Sequence, residues 1–115
     1  MNTVDIIVIV LAVLAALGIG STLSLVIYSV WNRARVSAAG EQVRKSIEES
    51  MEALGLDHLQ LVHLHDPEYC DLEEVMGSGG AIDTLFALKD EGIIDHVGLA
   101  AGRVDMMEQC LIRAD

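Results

Sequence analysis

Leu59-Gln60-Leu61-Val62-His63-Leu64-His65-Asp66-Pro67 is the stretch on which the fold turns. Its first seven residues, rich in branched side chains, are too few for a helical core, and they stop at an Asp-Pro pair, so they read as a strand running into a turn. With a period of two, Leu59, Leu61, His63 and His65 share one face, and Val62 and Leu64 share the other. Apolar residues on both faces predict a covered strand in a parallel sheet.

The flanks support that setting. Upstream, Val43, Ile47, Met51 and Leu54 recur at helical spacing. Glu41 with Lys45 and Arg44 with Glu48 form i,i+4 pairs on the wet side, and Gly55 supplies the stop. Downstream, residues 66–80 read as a loop ending in Gly77-Ser78-Gly79-Gly80. No lysine follows those glycines as a phosphate-binding loop requires. Ala81 to Glu91 reads as a helix with Ile82, Leu85, Phe86 and Leu88 on its apolar face, stopped by Gly92. Ile93 to Leu99 reads as a second strand and Val104 to Ile112 as a third helix carrying Met107, Leu111 and Cys110. Helices alternating with strands are the rhythm of parallel units joined by crossovers. Two strands leave both sheet edges bare, so the expected architecture is an α/β slice of a larger sheet or barrel, with two parallel strands and about three helices.

The amino-terminal third has a different texture. From Ile6 to Asn32 there is no Asp, Glu, Lys or Arg. Those twenty-seven residues exceed the roughly 20 that a helix needs to cross a bilayer. Tyr28 and Trp31 precede Arg33 and Arg35 in the manner of a cytoplasmic interface. A signal peptide lacks its basic start here, and a buried strand pair would lack cover. The expectation is a transmembrane helix over residues 6–31 in contact with lipid, a division into 1–35 and 36–115, and a single-pass membrane protein whose polar portion is cytoplasmic.

All 7 basic residues and all but one of the 18 acidic residues lie from Arg33 onward, in a chain of formal charge -11. That balance argues against a nucleic-acid partner, which is gripped through phosphate by cations. Two cysteines, Cys70 and Cys110, make no disulfide framework and no C-x-x-C pair. His63 and His65 form an H-x-H pair with Asp66, Cys70 and Asp71 close behind. Zinc would need a third and fourth ligand in defined geometry, so no metal site is assigned. A single histidine at a strand's carboxyl end is the better chemical candidate, because barrel and open-sheet enzymes place reactive groups there.

Val43 to Asp57 running into Leu61-Val62-His63-Leu64-His65-Asp66-Pro67, followed by Leu85-Phe86-Ala87-Leu88-Lys89-Asp90-Glu91-Gly92-Ile93-Ile94-Asp95-His96-Val97-Gly98-Leu99, resembles the middle of an aldo/keto reductase. The likeness runs from about Val43 to Leu111 and is greatest to the branch acting on free sugars. It implies an incomplete portion of a (β/α)8 barrel, NADP or NAD as cofactor, and aldoses or related carbonyls as substrates. It also implies a catalytic role for His65, orienting the substrate carbonyl and assisting proton transfer, and no fixed role for His63. Where many relatives hold the nicotinamide amide with serine and asparagine, this chain has Ala100 and Ala101, whose methyls cannot hydrogen-bond. The family's tyrosine, aspartate and lysine have no counterpart in order, since Tyr28 lies in the uncharged segment and Tyr69 follows the histidine strand.

Two functions follow as expectations. The first is a fragment of an NAD(P)-dependent oxidoreductase, inactive alone, arising as a truncated gene product, an incomplete gene model or one part of an assembly. The second is a membrane-anchored, non-enzymatic interaction module that recruits a protein partner, or itself, through exposed strand edges.

Overall fold

The computed structural model describes residues 2–17 and 20–114. The chain divides into two compact units, one ending at Arg33 and the other beginning at Ala34.

The first unit holds helix α1 (Thr3–Ala16) and the opening of helix α2 (Gly20–Leu54). The uncharged run is thus shared between two helices, and the expected single helix over 6–31 is corrected. α1 has 14 residues, or about 21 Å at 1.5 Å each, against a hydrocarbon core of about 30 Å. α2 is 35 residues long but carries its charges from Arg33 onward. Among the described residues no helix is long and apolar enough to cross a membrane. The single-pass membrane location and the cytoplasmic placement of the polar portion fall with that span. The lipid contact expected through it has no span to rest on. Residues 18 and 19 of the uncharged run lie outside the described residues.

The second unit is the α/β part. After α2 come strand β1 (Leu59–His65), a 3-10 turn (Pro67–Tyr69), helix α3 (Leu72–Met76), helix α4 (Ala81–Asp90), strand β2 (Ile94–Ala100) and helix α5 (Val104–Ala114). β1 and β2 pair in parallel, with Leu59 opposite Ile94 and His65 opposite Ala100. The expected parallel pair is therefore present, served by four helices rather than about three.

Helix stops fall on the glycines read from the sequence. Gly55 at φ 68° and Gly92 at φ 79° adopt the left-handed conformation that side chains resist. Around each, two amides satisfy the last helical carbonyls: Leu56 donates to Met51 and Gly55 to Glu52, and Ile93 donates to Leu88 and Gly92 to Lys89.

The loop expected over 66–80 is corrected, since it contains the 3-10 turn and α3. Asp71 caps α3 by accepting from the amides of Glu73 at 3.0 Å and Glu74 at 3.3 Å, and the two glutamates suit the positive end of the helix.

Apolar burial gathers into two clusters. Ile47 of α2, Leu85 and Leu88 of α4 and Ile94 of β2 form one, with Val62 and Leu64 of β1 packed against it. Val75 of α3, Ile82 of α4 and Cys110 of α5 form the other, which Leu99 joins. The doubly covered strand is corrected too. Val62 and Leu64 pack against the buried clusters, whereas Leu61, His63 and His65 of the other face are exposed, Leu61 to 54%.

Polar ties complete the frame. Arg44 donates from two nitrogens to Glu91 at 2.8 and 2.6 Å, spanning from α2 to the end of α4 instead of pairing along its own helix with Glu48. Arg35 reaches Asp71 at 2.9 Å, joining α2 to α3. Arg113 of α5 donates to the Met76 carbonyl at 2.8 Å and to Asp83 at 2.5 Å.

Candidate functional site

Parallel pairing brings the carboxyl ends of both strands to one edge. His65 and Ala100 are register partners there, and the Asp66 amide extends the ladder to the Ala100 carbonyl at 2.7 Å. Asp66 holds φ 47° and ψ 51°, a left-handed conformation costly for a residue with a side chain and directly before a proline. Pro67 is buried and fixes the chain as it turns away from the strand.

The His65 side chain is 71% exposed, and its Nδ1 lies 3.1 Å from Asp66 Oδ2. The contact sets a carboxylate beside Nδ1 and leaves Nε2 as the second ring position for a ligand. His65 also borders an open groove of about 390 Å³, together with His63, Cys70, Glu74, Gln42 and Val43. The imidazole thus has room and access at the strand's end.

The other sequence candidates disperse. His63 lies over Gly98, its register partner, so closely that a Cβ built at Gly98 would come 2.6 Å from the His63 ring. It works as a lid on the second strand. Tyr69 is 85% exposed on the 3-10 turn, Cys70 is exposed and Cys110 is buried. Burial, aided by the charge of Glu68, pushes the Cys110 thiol above its ordinary range. Among the described residues no group of three or more His, Cys, Asp and Glu is arranged to hold a metal ion.

Residues beyond β2 bear on cofactor binding. Ala100 and Ala101 present methyl groups, and the Gly102 amide is already committed to Glu68 Oε1 at 2.6 Å. Arg103, the cation nearest in sequence to this edge, is engaged by Asp105 at 3.1 and 2.5 Å, and that contact holds Asp105 below the usual carboxylate range. Ala100 and Ala101 offer no side-chain hydrogen bond to a nicotinamide amide at this edge, and the Gly102 amide beside them is already used.

The Glu68 to Gly102 bond was not legible in the sequence, because nothing periodic links residues 34 positions apart. Asp71, placed in a loop by the sequence reading, carried a signal that the reading passed over: an aspartate followed two and three residues later by glutamates is the local signature of a helix start.

A model of the aldo/keto reductase family matches residues 23–114. A D-threo-aldose 1-dehydrogenase of Pseudomonas sp is 37% identical over 73 residues, covering 64% of this chain and 22% of that protein. An L-galactose dehydrogenase of Arabidopsis thaliana is 36% identical over 75 residues, covering 65% of this chain and 23% of that protein. The chain therefore spans less than a quarter of the length of these relatives.

Proposed function

Because the chain belongs to the aldo/keto reductase family, we propose that it supplies two consecutive strand–helix units of an NAD(P)-dependent, sugar-oxidising barrel and does not transfer hydride by itself. The observation that carries the reading is the placement of His65 at the carboxyl end of β1, exposed and beside Ala100, inside the matched segment. That is the end at which barrel enzymes work.

His65 would orient the substrate carbonyl and assist proton transfer through Nε2, with the Asp66 carboxylate beside its other ring nitrogen. NADP or NAD supplies hydride chemistry in the complete protein. Here the methyls of Ala100 and Ala101 give that cofactor no side-chain hydrogen bond at the strand edge. Proximity and orientation supply much of the barrier reduction in such a reaction, and one oriented histidine meets only part of the requirement.

Purified 115-residue chain, assayed with NADP or NAD and a panel of aldoses in both directions, is expected to show no turnover above a His65→Ala control. Reproducible turnover that H65A abolishes, with matched folding and no host reductase present, would overturn the reading.

A second reading is favoured by one feature. β1 contains no charged residue and no proline, the usual guards of an open strand edge, and has a partner on one side alone among the described residues. Edge pairing with another protein would make the chain a non-enzymatic interaction module. Sedimentation of the full chain as a concentration-independent monomer would contradict self-pairing.

A further inference from the structure

Glu68 stands out among the polar side chains of the carboxyl edge. It sits in the 3-10 turn three residues past His65, yet its Oε1 accepts the amide of Gly102 at 2.6 Å, so the chain leaving β1 is tied to the chain leaving β2. Gly102 permits that approach: a Cβ there would stand 2.8 Å from Oε1. The second oxygen, Oε2, is buried and has no hydrogen-bond partner among the described residues. Glu68 as a whole is half-buried, so one of its oxygens is bonded and the other is shielded without a partner, an incomplete pairing that calls for an explanation. The neighbouring geometry supplies one. His65 and Ala100 end their strands side by side, the Asp66 amide holds the Ala100 carbonyl at 2.7 Å, and Glu68 holds the amide two residues further on. Two successive contacts thus fasten residues 100–102 to the segment that follows His65.

We propose that Glu68 is a positioning residue of the carboxyl-end site: its side chain latches the 100–103 loop to the His65 turn and so fixes where Ala100 and Ala101 stand relative to the imidazole. The proposal rests on the reading that this edge is the working face. The latch depends on reach more than on charge. The acceptor oxygen must extend to Gly102, and the nearby guanidinium of Arg103 is held by Asp105.

The test is amide hydrogen exchange and imidazole NMR on the full 115-residue chain with Glu68→Ala, Glu68→Asp and Glu68→Gln. E68A removes the acceptor and E68D shortens it by a methylene, and each is expected to speed exchange at Gly102 by about tenfold or more. Both should shift the His65 ring resonances while leaving the amides of Leu88 and Ile94 unchanged. E68Q, which keeps an acceptor at the same reach, should hold Gly102 within about threefold of wild type and restore the His65 signals. If E68A unfolds the chain, the order of E68D and E68Q decides alone. E68D behaving as wild type with E68Q loosened would overturn the proposal by assigning the contact to charge, and an unchanged Gly102 amide or unmoved His65 resonances in E68A would overturn it directly. Failure of the proposed oxidoreductase function would be read in turnover and leaves these signals untouched.

Discussion

Replacing Leu88 by alanine tests whether the α4 to sheet contact holds this unit together. Leu88 is 0% exposed and meets Ile47, Leu85 and Ile94, themselves at most 8% exposed. Deleting three buried carbons at about 0.8 kcal/mol each costs about 2.4 kcal/mol in transfer alone. An unrelaxed cavity adds to that, and measured Leu→Ala losses run from about 2 to 5 kcal/mol. Around this cluster Val43, Met51, Leu59, Val62, Leu64, Ile93 and Val97 are only partly buried, so the surroundings can slump into the gap. The expected loss is therefore near the lower middle of the range, about 3 kcal/mol. A unit of roughly 80 residues has about 4–12 kcal/mol in total, so the substitution removes a large share. Urea unfolding of the full chain followed by circular dichroism should show the midpoint falling by about 1.5–3 M for an m value of 1–2 kcal/mol/M. Val104→Ala, at a side chain 81% exposed, is the control and should move stability by no more than about 0.5 kcal/mol. An L88A curve that overlays the V104A curve, with m unchanged, would refute the placement of this leucine at the centre of the fold.

Further consequences are checked by the same or simpler means. Gly40→Ala drives a Cβ into the Gly79 carbonyl and within 2.5 Å of Thr84 Oγ1, so it should lower stability by about 1–3 kcal/mol in the urea assay. Gly98→Ala meets the His63 ring at 2.6 Å rather than backbone, and should shift the His63 resonances in NMR while costing less than G40A. Asp71 is held below its ordinary carboxylate range by its hydrogen bond to Arg35, so its contribution is present above the unfolded pKa and is lost as pH falls through the lower folded value. Asp71→Asn, which keeps a cap acceptor but not the charge, should show a shallower acid loss of stability from about pH 5 downward than wild type.

What the sequence disclosed and what it withheld divide along the range of the forces involved. The strand over 59–65 and the stops at Gly55 and Gly92 are local facts: branched residues ended by Asp-Pro, and glycines that alone take positive φ cheaply. The parallel order followed from the alternation of elements. The uncharged run misled because hydropathy was summed over residues that the fold assigns to two helices, α1 and α2. The facing of β1 was half legible. Period two sorted Val62 and Leu64 from Leu61 and His63, but apolarity on both sides could not show that one of them stays exposed. Arg44 has Glu48 within helical reach and takes Glu91, 47 positions away, because tertiary placement offers a two-nitrogen grip. His65 was singled out by its position at a strand end and by likeness to a family. Glu68 was not found, since its partner Gly102 lies across the edge rather than along the chain.

The account stands on β1 and β2 running parallel with His65 and Ala100 at the same end. Through-hydrogen-bond couplings between amide nitrogen and carbonyl carbon, recorded on the isotope-labelled full chain, test that most directly. The account predicts a coupling from the Asp66 nitrogen to the Ala100 carbonyl at one end and from the Leu59 nitrogen to the Ile93 carbonyl at the other. A coupling from Leu59 to Ala100, or from Asp66 to Ile93, would mean an antiparallel pair with His65 at the wrong end, and would contradict it.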